Sequence, residues 1–242
     1  MKRFLICIAL AHLVIVTIAQ MKPGDTEDWS GKPPVVIPGK PGQPPSDAII
    51  LFGCMADSVN WVQEDGQPIR WIVDSVLTVA AKSGNIKTVR SFGDCQLHVE
   101  WRTPAEISGT SQGRGNSGIK MMGLYEIQVL DSYENETYYN GMAGSIYKQH
   151  TPLVNASLGP GEWQTYDIVF GAPRFDANGG LLAPASFTLF HNGVLVQNNV
   201  KLTGPTRYIG IPVYTAHAGK LPLLLQDHGN PVSFRNIWIR EL

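Results

Sequence analysis

Gly113-Arg114-Gly115-Asn116-Ser117-Gly118, running directly into Ile119-Lys120-Met121-Met122-Gly123-Leu124-Tyr125-Glu126-Ile127-Gln128-Val129-Leu130-Asp131-Ser132, is the stretch that decides the fold. Its glycines match the dinucleotide fingerprint Gly-x-Gly-x-x-Gly, which must follow a strand and open a helix. Here a Ser/Gly/Gln loop precedes it, and an apolar segment leading to a turn at Gly123 follows. That leaves no helix N-terminus to receive a pyrophosphate. The segment instead reads as loop, strand, tight turn and strand. On the second strand Glu126 and Gln128 share a face by period-two geometry, with Asp131 on the other. One β-bulge between Gln128 and Asp131 would bring all three to one face. Two carboxylates and an amide gathered on a sheet face suit acid–base work on a sugar.

Strand signals extend outward from this stretch. Cys95 to Arg102 alternates, with Cys95, Leu97, Val99 and Trp101 on one face and Gln96, His98, Glu100 and Arg102 on the other. Trp71-Ile72-Val73 and Val76-Leu77-Thr78-Val79 flank Asp74-Ser75 as a hairpin, and His191-Asn192-Gly193 carries the Asn-Gly signal of a two-residue turn. Further strands are expected at Trp163–Phe170, Phe187–Phe190, Leu221–Gln226 and Val232–Arg240. No segment sustains a 3.6-residue apolar period, so helices should be short and peripheral. The pattern predicts an all-β fold, an antiparallel jelly-roll β-sandwich.

The ends and the composition bound the rest. Lys2 and Arg3, the apolar run from Phe4 to Ile18 and the small residues at Thr17-Ile18-Ala19 read as a signal peptide over residues 1–20. The mature chain is then expected to be exported, periplasmic or extracellular, without a membrane span after cleavage. Residues 21–47 are rich in Pro, Gly and Lys and read as a linker. Residues 48–242 are enough for one domain with a sizeable core. With 19 basic and 20 acidic residues interspersed, no basic face points to nucleic acid or an anionic membrane. Removal of the leader leaves Cys54 and Cys95, a candidate disulfide in an oxidising compartment, with two small unbridged thiols as the alternative.

Other candidates lie around the acidic strand. The glycine loop can bring Arg114 and Asn116 beside the carboxylates. Gln226-Asp227-His228-Gly229-Asn230-Pro231 ends an apolar run with a carboxylate and an imidazole, as proton transfer requires, although turn chemistry alone would account for Asp227. Tyr138-Tyr139 and Tyr147-Lys148 supply aromatic faces for one wall of a sugar cleft, or ordinary loop packing. No histidine spacing defines a zinc site. Catalytic candidates are therefore Glu126, Asp131 and His228, and binding candidates are Arg114, Asn116, Gln128, Tyr147 and Asp227.

Six stretches occurring in order resemble one family: Phe92–Pro104, Gly113–Gly118, Tyr125–Ser132, Gly161–Asp167, His191–Val194 and Leu225–Pro231. Together they look like the 3-keto-disaccharide hydrolase family of exported bacterial proteins, over residues 48 to 242. The resemblance implies a concanavalin-like, glucanase-like jelly roll acting on glycosides oxidised at C3. The chain departs from the family at its opening, where Phe52-Gly53-Cys54-Met55 replaces the usual Phe-Asn/Asp-Gly-Lys. A looser similarity is to laminarinase-type glycosidases, whose acidic motif shares the offsets of Glu126, Gln128 and Asp131 but has an acid where Gln128 stands.

The resemblance implies a carbohydrate substrate cleaved by C2-proton abstraction, β-elimination and hydration. Glu126 or His228 would be the base, Arg114 or a bound divalent metal the enolate stabiliser, and Asp131 the acid. No cofactor is fixed beyond that metal alternative. A retaining glycosidase using Glu126 and Asp131 on unoxidised β-glucans is the second reading. A non-catalytic carbohydrate-binding module is the third, since jelly rolls serve lectins as readily as enzymes.

Overall fold

The computed structural model describes residues 21–40 and 42–242, so the expected leader at 1–20 lies outside the described residues. The chain divides into a stretch ending at Val35 and a compact unit, Val36–Leu242. The described part of the first carries one 3-10 turn, Pro23–Thr26, and no buried residue. The compact unit begins within the proline-rich region expected as linker to residue 47. There Ser46 N–H donates to Ile37 O at 3.0 Å, and Arg240 grips Asp47 with Nε at 2.8 Å and Nη2 at 2.6 Å.

Among the described residues fifteen strands follow, here numbered in chain order. They are β1 (Ile49–Phe52), β2 (Trp61–Gln63), β3 (Ile72–Val73), β4 (Leu77–Thr78), β5 (Ile86–Phe92), β6 (Cys95–Arg102), β7 (Ser117–Met121) and β8 (Tyr125–Val129). The second half supplies β9 (Gln164–Gly171), β10 (Arg174–Phe175), β11 (Leu181–Ala183), β12 (Ser186–His191), β13 (Val194–Lys201), β14 (Leu221–Leu225) and β15 (Ser233–Glu241). The larger sheet runs β13-β12-β9-β6-β15-β4-β3, with β1 also on β15, and the smaller runs β2-β5-β14-β7-β8. Every named pairing is antiparallel. Among the described residues the only helices are short 3-10 turns, as the missing 3.6-residue period predicts.

Alternation builds the core. Cys95, Leu97, Val99 and Trp101 of β6 are fully buried, and Tyr125, Ile127 and Val129 of β8 meet that layer from the smaller sheet. Tyr125 and Phe170 approach across the interface with ring centroids 5.9 Å apart. Tyr166, fully buried on β9, donates its hydroxyl to the Gln128 carbonyl at 2.8 Å. That bond satisfies the phenol and fastens β8 to the opposite sheet. Asn192 and Gly193 both take positive φ, 52° and 77°, between β12 and β13, the turn their sequence predicts.

Two expectations are corrected here. Cys54 is exposed before a 3-10 turn and Cys95 is buried on a central strand, and both thiols are free, so the candidate disulfide is not formed. Burial pushes the Cys95 thiol up to about 12, which makes it an inert core residue. The bulge expected after Gln128 is also absent. β7 and β8 pair in unbroken register from Ser117↔Val129 to Met121↔Tyr125, and the strand ends before Asp131.

Candidate active site

The outward face of the smaller sheet carries the polar residues. Because Lys120 pairs with Glu126 and Gly118 with Gln128, all four positions lie on one face, opposite Ile119, Tyr125 and Ile127. The outer edge of β8 is covered: Gln128 N–H donates to Ser145 O at 3.0 Å and Tyr147 N–H to Glu126 O at 3.2 Å. This pairing sets Tyr147 beside Glu126. A second loop is tied in where Glu126 N–H donates to Thr206 Oγ1 at 2.9 Å.

These elements enclose a cleft of about 550 Å³ containing Asn116, Lys120, Glu126, Gln128, Tyr147 and His228, with Gln112, Tyr138, Thr206, Tyr208 and Gln226 among its other walls. Glu126 is only 4% exposed. Its Oε2 lies 3.4 Å from Lys120 Nζ, its sole ion-pair partner among the described residues. Burial raises the Glu126 carboxyl above its usual range, and the Lys120 ammonium only partly offsets this. Gly118 makes room for it, because a Cβ there would sit 2.5 Å from Glu126 Oε1. Gln128 Nε2 donates to Asn116 Oδ1 at 3.0 Å, and Asn116 Nδ2 to Gln112 O at 2.6 Å, which locks the amide floor. Tyr147 shares a 2.7 Å hydroxyl contact with Tyr138, and burial first, then that contact, raises its pKa and keeps it a neutral donor.

Three expected site residues stand elsewhere. Asp131 and Arg114 form a buried ion pair, Nε to Oδ2 at 2.7 Å, and line a separate cavity of about 380 Å³, not this cleft. The same guanidinium also donates to Tyr133 O at 2.9 Å and Glu134 O at 3.3 Å, so all three of its nitrogens are engaged with the turn after β8. Without the bulge, nothing brings Asp131 into the cleft beside Glu126. Asp227 accepts Gly84 N–H at 2.9 Å and Gly229 N–H at 2.8 Å, a turn-fixing role. Among the described residues no group of three or more His, Cys, Asp or Glu side chains converges as a metal site.

Lys120 went unassigned in the sequence reading, although counting inward from the Gly123 turn pairs it with Glu126. Gln112, Thr206 and Tyr208 reach the cleft from loops, and no sequence period marks them.

A polar, aromatic cleft around one buried carboxylate can bind a sugar and move a proton on it. The model of the 3-keto-alpha-glucoside-1,2-lyase-like domain matches residues 47–240, and the chain belongs to that family. A glycosyl hydrolase of provisional assignment from Parabacteroides distasonis is 46% identical, with TM-score 0.87 over 93% of this chain and 98% of its own. Another from the same organism, 19% identical, shares the fold with TM-score 0.58 over 81% of this chain and 94% of its own. No curated protein matches the chain. Family and relatives together point to an enzyme that cleaves carbohydrate, a hydrolase or lyase.

Proposed function

We propose that the chain cleaves the glycosidic bond of 3-keto-glycosides by β-elimination. The observation that carries this reading is that Glu126 is the sole carboxylate among the described residues lining the cleft. Retaining and inverting glycosidases ordinarily flank the scissile bond with two carboxylates. Here the second carboxylate that the sequence offered, Asp131, is held by Arg114. A ketone at C3 removes the need for the pair, because it acidifies the C2 proton and lets one base begin the reaction.

In this mechanism Glu126 takes the C2 proton, and its raised pKa makes it a stronger base than an exposed carboxylate. The electron pair left at C2 delocalises onto the C3 oxygen, and Lys120 stabilises that enolate with its ammonium. As the C3 carbonyl re-forms, C1=C2 forms and the C1–O bond breaks, with Tyr147 giving its hydroxyl proton to the departing oxygen. Water then adds its oxygen to C1 and returns one proton to the Tyr147 phenolate, C2 takes a proton from Glu126 after that carboxyl has exchanged with solvent, and the net result is hydrolysis. Gln128, Asn116 and His228 bind the sugar hydroxyls. Lys120 and Tyr147 thus replace Arg114 and Asp131 in the roles expected from sequence.

The test is turnover in D2O of a 3-keto-disaccharide and its unoxidised parent. The mechanism expects cleavage of the oxidised sugar alone, with deuterium at C2 of the product. Cleavage of the unoxidised sugar, or product without deuterium at C2, would overturn it.

A further inference from the structure

The cleft does not end at its aromatic wall. Tyr138, Tyr147, Lys148 and Tyr208 also line a second cavity of about 480 Å³, whose other walls include Asn140, Arg207 and Pro212. The two spaces meet along those four side chains. Tyr147, which in the proposed mechanism protonates the oxygen between sugar and leaving group, stands on the boundary. With a sugar over Glu126, a leaving group passing Tyr147 would enter the second cavity.

The chemistry of that cavity is distinctive for a chain with net charge −1. No carboxylate lines it, whereas Lys148 and Arg207 do, and among the described residues neither makes a salt bridge. Lys148 Nζ lies 4.3 Å from the Tyr208 ring centroid and 5.7 Å from those of Tyr138 and Tyr147. It also donates to Tyr208 O at 2.7 Å. Its backbone is held at φ 59°, a conformation that non-glycine residues rarely adopt, by its N–H bond to Asn140 O at 2.7 Å. Strain of this kind persists where surroundings over-determine it, and it clusters at ligand clamps. Three phenol rings offer stacking faces to a planar group. Two cations without carboxylate partners offer charge-assisted hydrogen bonds to an anion, and the Arg207 fork matches a carboxylate or sulfate.

We propose that the second cavity is the leaving-group subsite and that it selects an aromatic aglycone carrying an anionic substituent. The inference rests on the proposed 3-keto-glycoside reading and adds the substrate class to it. The test compares the 3-keto-glucosides of 4-hydroxybenzoate, phenol and methanol on the wild type, Lys148→Met and Arg207→Gln. Both residues are exposed and lie outside the proposed catalytic set. Each variant should lose about ten-fold in kcat/KM on the carboxylated substrate, chiefly through KM, as loss of one charged hydrogen bond implies. With Arg207→Gln, which lines the second cavity and not the catalytic cleft, the phenyl and methyl substrates should change less than about two-fold, within the range of a lost surface contact. Equal losses on all three substrates, or none, would overturn the subsite, as would a wild-type preference for a 3-keto-disaccharide over the carboxylated aryl glucoside. A separate arm measures binding of free 4-hydroxybenzoate by saturation-transfer NMR. If no 3-keto-glucoside turns over, the catalytic reading fails while this arm still decides the subsite: binding weakened in the double variant supports it, and no binding or unchanged binding overturns it.

Discussion

Glu126 lies on β8 and Asp131 just past its end, and both are nearly excluded from solvent, at 4% and 5% exposure. Their surroundings differ. Asp131 meets an arginine at 2.7 Å and also accepts the N–H of Tyr133 at 3.2 Å, so its charge is compensated on the protein side. Glu126 has one ammonium at 3.4 Å, with open cleft beyond, and its pKa is raised. Burial is therefore common to both, and saturation separates them. The ion-paired carboxylate holds a turn, whereas the under-compensated one retains the basicity and access that proton transfer needs.

Breaking each carboxylate in turn tests that contrast. Glu126→Gln removes the base and preserves the shape, so kcat on a 3-keto-disaccharide should fall by roughly 10²–10⁴-fold. Circular dichroism should show the fold intact. Residual activity within ten-fold of wild type would remove Glu126 from the mechanism. Asp131→Asn should do the reverse, leaving Arg114 buried without a counter-charge at a cost of about 3–5 kcal/mol in chemical denaturation. Activity per folded molecule should stay within a few-fold. A large loss of kcat in a stable Asp131→Asn protein would return that residue to the active site.

Lys120 sharpens the comparison from the other side. As the base, Glu126 must be ionised, so kcat/KM should rise with pH through its raised pKa, with an acid limb above the ordinary value of 4.5. Lys120→Met removes the group that lowers this pKa, so the limb should move to higher pH as the rate falls. A pH profile that kept its position, or moved down, would separate Lys120 from Glu126.

The sandwich was legible because alternation reports directly on a two-faced sheet, as β6 shows residue by residue. Glu126 and Gln128 lie on the face of β8 that period two assigns to them, whereas Asn116, Tyr147 and His228 reach the same cleft from connecting segments. Asp131 was misplaced because its position depended on a bulge, and sequence spacing alone does not show whether a strand continues or ends. Arg114 followed the same error, its partner lying across the turn at Tyr133 and Glu134. Thr206 and Tyr208 come from the long connection between β13 and β14, whose path is set by contacts such as the bond from Glu126 N–H and has no period to read.

The smallest expected effect concerns stability. A carboxyl whose folded pKa lies above its unfolded value binds its proton more tightly when folded. Its stabilising contribution is complete below the unfolded pKa and is lost as pH rises through the folded one. For Glu126 the raised value means that the ionised form is held at a cost to the fold. Glutamine has no proton to lose and keeps the volume beside Gly118. Lys120, with its side chain 22% exposed, retains contact with water when its partner is neutral. Glu126→Gln should therefore melt a few degrees above wild type near pH 7, the trade expected of a strained catalytic group. The difference should shrink as pH falls toward 4.5, where the wild-type carboxyl becomes protonated. Asp131→Asn should instead melt below wild type near pH 7, because it leaves Arg114 buried without a counter-charge. Two melting curves of the same sign would mean that burial alone governs both carboxylates, and the distinction between them would fall.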